Sequence, residues 1–346
     1  MSFKTLFLAA ATLASGAATA DALTFGDTIK GIQMGGTERM MVMALSDPGL
    51  PAEAHASRDA LLESMGILGQ AGRITRTNLN FSPVLTHDSN INGGYGSTTI
   101  VIDGLNFNVD KDYEALDGFL LGGSVSTGLR MALGHKTALS LSGSTSLAWS
   151  PEHDMWKNAV SASACVNHMV TVQTWSYACL DASYRSIDLG ESTRYGARVG
   201  MNRLFFSGIG LHEITAEIQH NEHDSGKEYD QGLVNVSMTT ALTGGYSVAF
   251  GAQLGEGVQD VSTLRHRVFA GVGFELFDRP TSVTVGLQKN DGGIFLGSPV
   301  ENEIASISVS HRVTEKLDVS IHASRTDSSV DFYNDNQFGV DIGLRF

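Results

Sequence analysis

The sequence predicts an all-β protein, a transmembrane antiparallel up-and-down β-barrel of about 14 strands with both termini on the periplasmic side. Three observations carry this. Polar and apolar residues alternate from residue 74 to the end of the chain. The connections between alternating segments are tight and long by turns. The chain also opens on a segment with the features of a secretory leader.

The alternation is plainest in Gln337 to Phe346. Phe338, Val340, Ile342, Leu344 and Phe346 share one parity, and Gln337, Gly339, Asp341, Gly343 and Arg345 share the other. Successive strand side chains point to opposite faces, so one face is oily and the other polar. A barrel in a membrane needs this, because one face meets lipid and the other a wet lumen. The terminal Phe346 fits the signal that such barrels present to their insertion machinery. A soluble sheet protein can alternate in the same way. It would also have to account for the leader and the aromatic last strand.

Residues 1–22 read as a signal peptide. Lys4 supplies the positive charge and Leu6 to Leu13 the apolar stretch. Either Ala18-Thr19-Ala20 or Ala20-Asp21-Ala22 supplies the small-residue cleavage site. No cysteine lies near it, which argues against a lipid anchor. The expected location is the outer membrane of a Gram-negative bacterium after secretory export. Outer-membrane lipid and the barrel-insertion machinery are then the expected partners.

Residues 23–73 form a separate lead-in, either periplasmic or placed as a plug in the lumen. Met34 to Leu45 is rich in methionine, Asp47 to Pro51 reads as a turn, and Ala52 to Gly66 reads as one short helix.

Residues 74–346 supply the barrel. The tight connections are Gly134-His135-Lys136, Asn167-His168, Ser207-Gly208, Thr243-Gly244-Gly245, Asp278-Arg279-Pro280 and Thr314-Glu315-Lys316. The others run His87 to Asp117, Ser150 to Met155, Ser186 to Ser192, Asn221 to Tyr229, Gly255 to Thr263, Asn290 to Glu301 and Asp327 to Asn334. The first of these holds its own hairpin, Thr99 to Ile102 and Leu105 to Phe107 around Asp103-Gly104. A turn at Asn167-His168 would set Cys165 opposite a residue near 172 rather than Cys179. The two cysteines then read as small lumen-facing residues, with a disulfide as the alternative.

Composition narrows the function. The formal net charge is −14, which excludes a nucleic-acid binder of the usual basic kind. No G-x-S-x-G elbow, phosphate loop or zinc cluster is present, and neither a cofactor nor a catalytic residue is expected. His220-Asn221-Glu222-His223-Asp224 reads as a solvated acidic loop rather than a metal site. His87-Asp88-Ser89 places triad residue types in a row, which strand neighbours do not assemble into a triad. The charged residues of interest are those of lumen parity: Arg194, Arg198, Glu213, Glu217, Arg267, Asp341 and Arg345, with Arg265 nearby. They read as a salt-bridge network that rigidifies or narrows a pore.

The stretch Asp88, Ser89, Asn90, Ile91, Asn92, Gly93 leads to the Ile100 to Phe107 hairpin and then to Leu116-Asp117-Gly118. Together with Phe332-Tyr333-Asn334 and Leu344-Arg345-Phe346, it resembles the barrel domain of the surface lipoprotein assembly modifier family. The resemblance covers residues 74–346. It implies assistance to an exported client protein crossing the outer membrane. Family members typically carry tetratricopeptide repeats before the barrel, and no 34-residue repeat is seen here. The expected function is therefore translocation of a surface lipoprotein or secreted protein. The alternatives are a passive or solute-selective channel and, from another class, an outer-membrane hydrolase.

Overall fold

The computed structural model describes residues 25–96, 98–102, 105–295, 297–330 and 333–345. The signal peptide, Asp103-Gly104, Phe332 and the insertion signal at Phe346 lie outside the described residues.

Fourteen antiparallel strands close into one barrel. In chain order the strands are β1 (Ile74–Asp88), β2 (Thr99–Ile102), β3 (Leu105–Asn108), β4 (Gly118–Gly134), β5 (Thr137–Ser150), β6 (Met155–Thr171), β7 (Thr174–Ile187) and β8 (Gly190–Ser207). They continue as β9 (Gly210–Asp224), β10 (Glu228–Leu242), β11 (Ser247–Gly255), β12 (Thr263–Leu276), β13 (Arg279–Phe295), β14 (Ser298–Thr314), β15 (Leu317–Ser328) and β16 (Asp335–Arg345). β2 and β3 pair as a separate hairpin, and the other fourteen form the barrel, closed where β1 meets β16. Closure leaves no strand edge unpaired, which a lipid-exposed sheet requires.

The alternation sets the two faces. Leu180, Ile218 and Leu287 are 67%, 64% and 60% exposed on the outside. Such side chains are costly in water and at home in lipid. Trp156, Tyr184, Tyr195 and Phe119 add exposed aromatic rings toward one end of the barrel wall, as in the girdle of a membrane barrel.

Four of the tight connections are two-residue turns at the predicted places or within a residue of them: His135-Lys136, Gly208-Ile209, Phe277-Asp278 and Glu315-Lys316. His135 and Lys136 both have positive φ, 51° and 61°, as a type I′ hairpin turn requires. One prediction fails. The chain does not turn at Asn167-His168, because β6 runs on to Thr171 and β7 begins at Thr174. Val170 and Val172 keep the alternation going past the polar pair. Cys165 therefore pairs with Cys179, Cα to Cα 4.1 Å, and the two form a disulfide.

The strands are longer than a span of about ten residues needs. β8 has 18 residues, and β4, β6, β13 and β14 have 17 each. Much of what reads as long loop is strand overhang. β7 ends at Ile187 and β8 begins at Gly190, where a loop from Ser186 to Ser192 is expected. The asymmetry between the two ends of the barrel resides largely in these projecting hairpins.

Among the described residues, three helices rather than one stand before the barrel: α1 (Phe25–Gly35), α2 (Glu38–Ala44) and α3 (Ala52–Ser64). Ile32, Met40, Val42, Ala44, Leu62, Met65 and Ile67 cluster with Ala138, Met169, Trp175, Leu204, Leu211 and Ala241. The latter six are lumen-side residues of β5 to β10, all close to the short turns. The helical segment thus packs inside one mouth of the barrel.

Candidate functional site

In the lumen, polar side chains from many strands converge. On β7, Tyr177, Cys179 and Asp181 share the inward parity, and on β8 so do Arg194 and Arg198. Glu217 on β9 and Asn235 on β10 stand opposite each other in the ladder. A cavity of about 650 Å³ lies between these residues, Cys179 apart, and Gln253, Arg267 and Phe269. A second, of about 440 Å³, runs along the hydroxyl-rich wall of Ser126, Ser142, Ser144 and Ser161. Asp181 and Arg194 line both cavities.

The charges are unevenly paired. Arg198 donates to Asp181 at 2.8 Å and to Glu217 at 3.3 Å. Glu217 also accepts from the Tyr177 hydroxyl at 2.8 Å and from Asn235 at 3.0 Å. Tyr177 lies over Gly200, where a Cβ would come within 2.4 Å of the ring. Among the described residues Arg194 and Arg267 take no ion pair, and Arg267 is exposed to the lumen. The cavity holds three guanidinium groups against two carboxylates, and the surplus sits on the two unpaired arginines.

The other charged residues of lumen parity disperse. Glu213 is 2% exposed and is gripped by Thr37 and Arg39 from the helical segment, with Arg39 Nε at 2.8 Å. Asp341 faces His322 at 3.3 Å. Arg345 lies opposite Asn80 in the β1–β16 ladder. Arg265 pairs with Asp291 at 3.1 Å. The sequence reading passes over Thr37, Arg39, Tyr177, Asp181 and Asn235. A lone aspartate of inward parity in mid-strand was the available signal for Asp181.

The loop after β1 folds inward at the other mouth. Ile91 is 1% exposed and packs with Leu120 and Ala148. Asp88 pairs with Lys157, whose ammonium also donates to the Asn90 carbonyl at 3.0 Å. Asn92 accepts from Gly94 and Leu116 N–H and donates to the Glu114 carbonyl. Gly93 has φ 79°, and an added Cβ would meet Ile187. Ser89 donates to the Asn336 carbonyl at 2.6 Å. His87 meets the Phe119 ring edge-on, centroids 5.0 Å apart, so His87, Asp88 and Ser89 turn to three different partners.

His220, Glu222 and Asp230 bring ligand atoms within 4.8 Å of one another on the exposed surface. Exposed carboxylates commonly gather in this way without an ion. His223 turns aside and stacks on Tyr229, with ring centroids 4.7 Å apart.

A closed barrel with an apolar exterior, an aromatic girdle and a charged, cavity-bearing interior has one setting in which its outer face is satisfied. The chain is an outer-membrane β-barrel. No protein-family model matches it, and no curated protein is significantly similar. Several solved porin barrels overlap it in shape. A BenF-like porin from Pseudomonas fluorescens Pf-5 is 6% identical, over 80% of this chain and 100% of that one, with a TM-score of 0.44. OccAB3 of Acinetobacter baumannii is 6% identical over 79% and 100%, with a TM-score of 0.42. OccK1 (OpdK) of Pseudomonas aeruginosa is 8% identical over 80% and 100%, with a TM-score of 0.41. These overlaps concern barrel shape alone.

Proposed function

We propose that this barrel is a porin-like channel for small polar solutes, with a preference for anions. The observation that carries the reading is the central cavity with its two unpaired arginines, Arg194 and Arg267. At about 650 Å³ it matches the size of a site for a small molecule rather than for a polypeptide. Fixed guanidinium groups in a narrow passage attract counter-ions and raise their local concentration. The adjoining hydroxyl wall, which Arg194 also lines, offers hydrogen bonds to a solute whose charged end faces the arginines.

Translocation of a client protein draws its support from the loop motif and its family resemblance. Passing a chain would require both the helical segment and the inward loop to leave the lumen. The channel reading requires less movement and uses the charges where they stand. In this reading the short-turn mouth is periplasmic and the projecting hairpins are outside the cell.

The test is a planar bilayer holding the purified full-length protein under a salt gradient. The expected result is a reversal potential on the anion-selective side, moved toward cations in Arg194→Glu with Arg267→Glu. A selectivity indifferent to both charge reversals would overturn the proposal. So would a membrane-embedded protein that passes no current, either as wild type or in variants that loosen the helical segment from the barrel wall.

A further inference from the structure

Three consecutive residues tie opposite walls of the barrel. Thr37 caps α2, accepting the Met40 N–H at 3.2 Å, while its hydroxyl donates to Glu213 on β9. Arg39 grips the same carboxylate from its Nε and one Nη. Between them, Glu38 reaches the other way. It accepts from Arg76 of β1 at 2.6 Å and from Arg130 of β4 at 2.5 Å. Counting round the barrel from β1 through β4, β5, β6, β7 and β8, β9 is the sixth strand on; the other way, through β16, it is the eighth. The wall holding Glu213 thus stands almost diametrically across from the wall holding Arg76.

From this placement we infer that Thr37-Glu38-Arg39 is a crossbar latch that holds the helical segment across the lumen and closes the channel until its ion pairs part. The inference rests on the channel reading. The barrel ladder is closed through its own strand pairs and borrows no hydrogen bond from the helices. Glu213, Arg76 and Arg130 all face the lumen, so on release water can solvate them. Glu213 is buried only while Thr37 and Arg39 cover it, and a desolvated carboxylate needs both partners. Loss of either one therefore weakens the closed arrangement far more than the open one. The apolar packing of Met40 and Val42 against the β5 to β10 wall is untouched by the latch. Release thus frees the passage on the β1 side while the helices stay tethered.

The test uses full-length protein in planar bilayers, with outer-membrane assembly of each variant checked by heat-modifiable migration. In Glu38→Gln with Arg39→Gln, the fraction of time open should rise by about tenfold, the size expected when charge-assisted bonds are exchanged for neutral ones. A second variant, Thr37→Cys with Glu213→Cys, should also open more often. A short bis-maleimide bridging the new thiols should then abolish its openings, since both native cysteines are bonded to each other. Wild-type protein that conducts, with a double-glutamine variant that gates identically and a bridge without effect, would overturn the latch and leave the channel reading standing. No current from any of these membrane-embedded proteins would overturn the channel reading, and the latch with it.

Discussion

Cys165 and Cys179 face each other directly across the β6–β7 ladder and are joined inside the lumen, one strand away from Arg198. The bond closes a short segment of chain that the ladder already holds. Native protein should show no reactive thiols by mass spectrometry after alkylation. Cys165→Ser with Cys179→Ser should still assemble, with stability lower by at most about 3 kcal/mol, the constraint such a loop places on the unfolded chain. A shift in the temperature of heat-modifiable unfolding measures it. Failure of the double variant to assemble would show that the bond is needed for folding rather than for stability.

Arg198 and Arg267 both line the cavity, and their surroundings separate their roles. Arg267→Gln removes a charge with no ion-pair partner among the described residues. It should weaken anion selectivity and leave thermal unfolding unchanged. Arg198→Gln strands Asp181 and Glu217 close together. It should weaken selectivity and also lower stability, by about 1–3 kcal/mol after allowance for the water that reaches this partly exposed group. Reversal potentials and unfolding temperatures of the two variants, measured side by side, give the comparison. Equal effects on stability would count against the pairing.

Tyr177 needs Gly200 beneath it to reach Glu217. Gly200→Ala should push the ring away, break the hydrogen bond to Glu217 and free that carboxylate toward the lumen. The expected result is a channel less selective for anions, with the barrel intact. Tyr177→Phe, which keeps the ring and removes the donor, should give a smaller change in the same direction. Unchanged selectivity in both would show that Glu217 is held well enough by Arg198 and Asn235.

How much of this was legible in the sequence follows from the range of the forces involved. The barrel was legible because its two solvents, lipid and water, impress a period of two on every strand. The turn between β6 and β7 was not. Asn167-His168 has the polarity of a turn, whereas the actual pair, Val172-Gln173, has none of the usual turn residues. That one displacement hid the disulfide. Tyr177 and Asp181 share the inward parity of Cys179, but their partners Glu217 and Arg198 stand on other strands, a pairing that parity does not show. The first two helices were hidden for another reason. At 11 and 7 residues, α1 and α2 are too short to be stable by propensity, and the barrel wall supplies the packing that holds them. Arg194, Arg198 and Arg267 were legible as charges of inward parity, but which of them is neutralised depends on partners several strands away.

The turn at His135-Lys136 is a place where local strain can be removed. Both residues are left-handed, a conformation costing a side chain about 1 kcal/mol and glycine almost nothing. Lys136→Gly should stabilise the barrel by about 0.5–1 kcal/mol, less the greater freedom glycine gives the unfolded chain. An upward shift in heat-modifiable unfolding temperature is the expected readout. A fall would mean that the lysine makes up the strain through another interaction at that mouth.

Asn92 anchors the inward loop through three backbone partners, Gly94, Glu114 and Leu116, while it is only 2% exposed. No other side chain of similar size offers an acceptor and a donor in that geometry. Asn92→Ala leaves two N–H groups and a carbonyl without partners, a loss of about 1–3 kcal/mol. Asp88→Asn weakens the neighbouring anchor to Lys157. The double variant should still form a heat-modifiable barrel, because the ladder owes nothing to the loop. On intact cells, however, a protease should cut within residues 89–117, where the wild type resists. Single-channel conductance should rise, since the loop leaves the space beside Leu120 and Ala148. Protease resistance and conductance both equal to wild type would mean that Ile91, seated in its apolar pocket, holds the loop alone, and Ile91→Ser would then be the variant that releases it.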